Sequence, residues 1–231
     1  MKLKTHELFE HLERKPLAPV YLFTGEEGYF MERALGKLLD RALLGAPRDF
    51  NLDVFYGKDA RADEIALQAS TLPMMAERRA VVLKEADRLR DLAPVKEYLK
   101  SPSDTTVFVM VAMDADRAKE RTLTDAVPKN GVAVHFYHPF ENQLPDYVRI
   151  IAKDSGFNID RQASAYLIDM LGGNLALIEA ELNKLFNLLG ERKTVTYEDA
   201  KESVGDFGMP LVFDLIDSVA ARKPAEALEL L

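Results

Sequence analysis

Residues 20–31 read Val-Tyr-Leu-Phe-Thr-Gly-Glu-Glu-Gly-Tyr-Phe-Met. A strand that runs into a glycine-bounded loop and then a helix is how nucleotide-binding α/β domains hold phosphate. The chemistry needs the pattern Gly-x-x-x-x-Gly-Lys-Ser/Thr, in which backbone amides and one lysine meet the anion. Here the loop is Gly25, Glu26, Glu27 and Gly28, followed by Tyr29, Phe30 and Met31. Carboxylates stand where phosphate needs cations. Residues 80–87, Ala-Val-Val-Leu-Lys-Glu-Ala-Asp, show a second loss of the same kind. Four apolar residues lead to the place where an ATPase strand carries its magnesium-holding Asp, and that place is Lys84. An ammonium there repels the metal. The scaffold of an ATP site is present and its reactive groups are not.

Other candidate groups are weaker. His135 and His138 are three apart, a spacing that on a strand sends them to opposite faces, and His6 and His11 are five apart on a helical pattern. Neither pair has the spacing of a metal site, so no metal is expected. Asp114 and Asp116 follow a strand, where magnesium ligands often sit. Acidic residues are equally at home in a solvated loop there, and the ordinary reading is preferred. No Gly-x-Ser-x-Gly elbow marks a nucleophile. Met74 and Met75 follow Pro73 and precede Glu77, Arg78 and Arg79. Two readings stay open for them: folding inward to seal the sheet edge, or projecting as an adaptable apolar contact. Burying both is worth on the order of 3–5 kcal/mol.

The elements that must position these groups alternate. Helical spacing of Leu8, Phe9 and Leu12 predicts a helix over 5–14, closed by Pro16 and Pro19. Strands are expected at 20–24, 52–56, 80–83, 106–112 and 131–137. Helices are expected at 29–44, 60–72, 94–99 and in part over 114–123. Pro73 ends the second of these, because proline lacks an N–H and disfavours helical geometry just before it. The uninterrupted apolar run at 106–112 predicts a strand buried on both faces. Such alternation calls for a mostly parallel sheet covered by helices on both sides.

After Pro139 no convincing strand core remains. Helices are expected at 142–153, 161–171 and 176–189, punctuated by Gly156, Gly172-Gly173 and Gly190. A short extended piece at 194–197 and a small helix begun by Thr196 and Asp199 follow. Gly205 and Gly208 precede an amphipathic segment at 210–221. Domain boundaries are placed near 140 and 208.

Composition sets outer limits. The 231 residues are 48% hydrophobic, enough for one good core and a smaller second one. No cysteine is present, which removes disulfides, thiolate catalysis and zinc–thiolate sites and suits a reducing cytoplasm. The first residues lack the apolar stretch of a signal peptide, and no run reaches the roughly 18 apolar residues of a membrane span. A net charge of -8 argues against tight unaided binding to nucleic acid. The final Ala-Glu-Ala-Leu-Glu-Leu-Leu stops within a helical pattern without a C-cap glycine. The chain is therefore expected to be part of a longer one.

Taken in order, four stretches resemble the delta subunit of the bacterial DNA polymerase III clamp loader. They are Pro19-Val-Tyr-Leu-Phe-Thr-Gly-Glu-Glu, then Thr71-Leu-Pro-Met-Met-Ala-Glu-Arg-Arg-Ala-Val-Val-Leu, then Gly172-Gly-Asn-Leu, and finally Phe213-Asp-Leu-Ile-Asp. The resemblance spans nearly the whole chain. It implies an α/β, AAA+-type fold without ATPase activity or cofactor: a sheet domain over 1–140, a three-helix lid over 141–208, and the start of a helical collar over 209–231. It further implies that Met74 and Met75, with Leu72 and Pro73 supporting the turn, wedge into the sliding clamp and loosen one ring interface. Family members often carry an aromatic at the second of these positions, where this chain has methionine. The lid position of the ATP-sensing arginine in active relatives is Ala176, a third loss in the same direction. The sister subunit delta prime fits less well, since its zinc-binding cysteines and Ser-Arg-Cys motif need cysteine.

The implied protein is a cytoplasmic, non-catalytic part of the DNA polymerase III holoenzyme. Its partners would be the sliding clamp, the tau/gamma and delta prime subunits mainly through the collar, and DNA through the assembled complex, with no membrane. Two other functions are weighed against it. A divergent P-loop ATPase of the AAA+ class would have Glu26 and Glu27 repelling its phosphates. A non-catalytic adaptor with a repurposed nucleotide-binding fold predicts that Met74 and Met75 are buried.

Overall fold

A computed structural model describes residues 1–113 and 115–204 of the chain. Two compact units are present, Met1–His138 and a second from Pro139. The first is built on a six-stranded sheet whose paired neighbours all run parallel. In chain order its elements are β1 (Lys2–Leu3), α1 (Thr5–Arg14), β2 (Val20–Gly25), α2 (Gly28–Ala42), α3 (Arg48–Asn51), β3 (Leu52–Tyr56), α4 (Ala62–Ser70), β4 (Arg79–Lys84), α5 (Ala93–Lys100), β5 (Thr106–Met113), α6 (Arg117–Ala126) and β6 (Val132–Phe136). The strand order is β1-β6-β2-β5-β4-β3. Apart from the edge strand β1, this is the order of an AAA+-like sheet.

The two central strands explain why the sheet needs cover on both faces. All six residues of β2 are buried, as are the first seven of β5. Side chains alternate across a strand, so these runs feed two cores. Val20, Leu22, Val81, Leu83, Phe108 and Met110 pack with Ile65 of α4, Val95 and Leu99 of α5, and Leu123 of α6. Tyr21, Phe23 and Phe136 form edge-to-face pairs on the other side, which α1 and α2 approach. Each of these large side chains contributes about 1.5–3 kcal/mol by leaving water.

The expected strands and helices are present with ends shifted by a few residues, and β3 has its expected limits. The sequence gives no sign of β1, because two residues cannot show a period. Its signal is tertiary: Lys2 and Leu3 pair with Ala133 and Val134.

The second unit is mainly helical: α7 (Leu144–Asp154), α8 (Arg161–Leu171), α9 (Leu175–Leu188) and α10 (Tyr197–Val204). Leu144, Val148, Ile151, Leu167, Ile178 and Leu182 are buried there. The short extended piece expected at 194–197 takes part in a two-stranded pairing. β7 (Asn158–Ile159) pairs in parallel with β8 (Thr194–Val195), each too short to alternate visibly. Asp160 serves two helix starts, its Oδ1 accepting from the Ala163 amide at 2.6 Å and its Oδ2 from the Tyr197 amide at 3.2 Å. Gly172 closes α8 in the left-handed region, φ +64°, which favours glycine. Asp114, Gly205, Gly208, the segment at 210–221 and the expected collar lie outside the described residues.

Candidate functional site

Helix α4 ends at Ser70 as the approach of Pro73 predicts, with the Thr71 hydroxyl turned back onto the Leu67 carbonyl at 3.0 Å. The chain then crosses to β4 through residues 71–78. Met75 is 86% exposed and Met74 54%. Both methionines project, so the inward-folding alternative does not hold. Met75 has φ +54°, a left-handed conformation costing a side-chain-bearing residue about 1–2 kcal/mol. Something must hold the turn in place.

The holder is Asn51, the last residue of α3, with no exposed surface. Its Oδ1 accepts from the Met74 amide at 2.8 Å, and its Nδ2 donates to the Met74 carbonyl at 2.9 Å. The same Nδ2 donates to the Pro47 carbonyl at 3.0 Å. A buried carboxamide thus grips both polar groups of Met74 as a neighbouring strand would. Where the turn rejoins the sheet, the buried Arg79 guanidinium pairs with Asp53 of β3, and Gln68 of α4 lies 3.4 Å from the same carboxylate. Backbone and base are fixed, and the two thioethers are left outside.

Sequence reasoning missed Asn51 because the pairing spans 23 positions and no periodicity marks it. It also assigned support to Leu72 and Pro73. Pro73 is half-buried, and Leu72 is exposed, as the two methionines are.

The glycine-bounded loop after β2 is arranged in the opposite manner. The amides of Glu26 and Glu27 both donate to the Phe136 carbonyl, at 3.0 and 3.2 Å. A Cβ on Gly25, φ +114°, would stand 2.2 Å from that carbonyl oxygen, so only glycine permits the approach. Glu27 caps α2, its Oε1 accepting from the Tyr29 amide at 3.1 Å and its Oε2 lying 2.8 Å from His138 Nδ1. A helix N-terminus attracts an anion through its free amides and dipole, and here the anion is the chain's own carboxylate. Lys84, at the place of the metal-holding Asp, reaches Glu32 of α2 at 2.8 Å.

Of the remaining candidates, His135, His11, Asp116 and Ala176 have structural partners. His135 Nδ1 and the Thr24 hydroxyl both bond Glu120 Oε1, at 2.7 and 2.9 Å. Burial pushes the Glu120 carboxyl up, but the bonds from His135 and Thr24 outweigh it and hold the group below its ordinary value. His11 lies 3.4 Å from the Tyr21 hydroxyl. Asp116 caps α6 by accepting from the Lys119 amide at 2.9 Å, the ordinary role of a carboxylate after a strand. Ala176 sits in the first turn of α9, its amide bonded to the Asn174 side chain. Among the described residues, no three His, Cys, Asp or Glu side chains gather as metal ligands.

Comparisons with known proteins bear on the family and the fold. A sequence profile of the family described as "DNA polymerase III, delta subunit" matches residues 21–137, just over half of the chain. The chain is 26% identical to the DNA polymerase III subunit delta of Bacillus subtilis, covering 97% of this chain and 67% of that protein. It is 23% identical to the probable DNA polymerase III subunit delta of Aquifex aeolicus, covering 94% and 64% respectively. The solved structure of the Bacillus subtilis DNA clamp loader delta protein superposes with a TM-score of 0.75 at 26% identity, over 98% of this chain and 70% of that one. The chain spans about two thirds of the length of these relatives.

Proposed function

The chain belongs to the DNA polymerase III delta subunit family, and on that premise we propose that it binds the sliding clamp through the methionine turn and opens the ring for loading on DNA. Met74 and Met75 are the wedge, and Leu72 and Pro73 flank it. The observation that carries this reading is the exposure of both thioethers on a backbone gripped by Asn51. A rigid mount keeps the ordering cost of binding low, so more of the transfer energy of the two side chains appears as affinity. Ring opening then follows from differential affinity. The wedge binds the strained clamp better than the closed one and shifts the population between them.

In this proposal the chain hydrolyses no ATP. The loop amides are occupied by Phe136, Glu27 fills the anion position of α2, and Lys84 faces Glu32. These contacts weigh against a divergent ATPase, and the exposed methionines weigh against an adaptor that buries them. The proposed organisation is an AAA+-like domain over 1–140, a lid over 141–208 and a collar from 209. The collar would join the tau/gamma and delta prime subunits, and DNA would be held by the assembled complex.

The test is binding to the cognate sliding clamp with and without Met74→Ala plus Met75→Ala. The double variant is expected to lose about 2 kcal/mol or more of binding energy, the mark of an interface hot spot. Its melting temperature is expected to stay where it is, because neither side chain is in the core. Equal binding by both proteins, or collapse of the variant's fold, sinks the wedge.

A further inference from the structure

Sulfur in this chain is confined to eight methionines, since no cysteine is present. Met31 and Met110 are enclosed in the core, at 2% and 0% exposure. Met75 is the most exposed of the described methionines at 86%, and Met74 stands beside it. Their backbone is anchored. Asn51 holds the Met74 amide and carbonyl, and the left-handed backbone at Met75 keeps the turn reversed outward. Two thioethers are therefore offered to solvent at the point where an apolar contact is needed.

We propose that Met74 and Met75 form an oxidation site, at which a hydroperoxide switches the wedge off by converting its thioethers to sulfoxides. This rests on the wedge reading above. In the reaction, a sulfur lone pair attacks the outer peroxide oxygen. The S–O bond forms as the O–O bond breaks, sulfur is oxidised by two electrons, and the peroxide is reduced to water or, for an organic peroxide, to its alcohol. The product is a strong hydrogen-bond acceptor and no longer an apolar group. Entering a hydrophobic pocket would strip that acceptor of water without replacing its bonds. The held backbone keeps the oxidised side chains at the same place on the surface. Reversal needs a dithiol, which becomes a disulfide as the sulfoxide oxygen leaves as water.

The experiment treats the chain with graded hydrogen peroxide. It follows each methionine by peptide mass and measures affinity for the cognate sliding clamp at every step. Affinity is expected to fall about tenfold or more as sulfoxide accumulates at positions 74 and 75, while Met31 and Met110 remain reduced. M113L, which removes another exposed sulfur, is expected to stay fully sensitive. M74L/M75L is expected to keep its own untreated affinity, whatever its level, after the same exposure. Sulfoxide reductases for both epimers, supplied with dithiothreitol, are expected to restore binding to the oxidised native chain. Affinity that survives sulfoxide at both positions overturns the switch and leaves the wedge standing. An equal fall in M74L/M75L, or no recovery on reduction, also overturns it by tracing the loss to other damage. Absence of clamp binding before any peroxide overturns the wedge, and the switch with it.

Discussion

The glycine-bounded loop after β2 and the methionine turn before β4 belong to one unit, and each joins a sheet strand to a helix. In the first, the polar groups turn inward: two amides meet Phe136, and Glu27 caps the helix that follows. In the second, the polar groups of Met74 are satisfied by Asn51, but the side chains are left facing water. The loop resembles a ligand site and has filled itself. The turn resembles a mere connection and has left its apolar atoms without cover. On the proposed reading, the surface with unmet chemistry marks the function, and the motif marks only the fold.

That contrast predicts opposite readouts for mutations in the two places. The largest effect is expected for Gly25→Ala. Its Cβ would meet the Phe136 carbonyl oxygen at 2.2 Å from a backbone with φ +114°. A backbone clash combined with this strain should lower the unfolding free energy by more than about 3 kcal/mol in a urea titration. A loss under about 1 kcal/mol would mean that the loop is not the folding device described here.

Asn51→Ala comes next and tests the turn from behind. Removing the carboxamide leaves the Met74 and Pro47 groups without their buried partner, at about 1–3 kcal/mol of stability. Clamp affinity should fall as well, although Asn51 itself is enclosed. The Met74 and Met75 alanine pair should move binding alone. If Asn51→Ala lost stability and kept full affinity, the grip would be irrelevant to the contact.

The smallest effect concerns pH. Burial, with Arg41 and Lys15 nearby, holds His11 below its ordinary 6.5. The unfolded chain therefore takes up this proton first, and stability declines as pH falls below 6.5. Glu120 is also held below its ordinary 4.5, so its contribution is present above 4.5 and is lost as pH falls through its folded value. Glu120→Gln is expected to change stability at pH 7 by on the order of 1 kcal/mol or less. Its melting temperature should then fall less steeply than the native chain's below pH 4.5. Identical acid limbs for the two proteins would remove Glu120 from the account.

The strand–loop–helix at 20–31, the long apolar run of β5 and the break at Pro73 were all legible in the sequence. Each is local, and each follows from the period of a strand or the geometry of proline. Met74 and Met75 could be singled out by type and place, but their direction could not. It depends on Asn51, whose partner lies 23 residues away. The exposure of Leu72 was equally hidden, since a leucine next to a proline carries no sign of which side it faces. Glu26 and Glu27 were legible as unsuited to phosphate. That Glu27 serves as the anion for α2 required the position of Tyr29 and His138 around it.

The internal cap of α2 bears on thermodynamic linkage. When a helix N-terminus takes its anion from solution, that part of the stabilisation rises and falls with ligand concentration. Glu27 is tethered one residue before the helix begins, so its concentration at the site is fixed by the chain. The favourable energy is gained once, during folding, and is the same whatever anions the surroundings hold. This corner of the sheet carries its counter-ion with it.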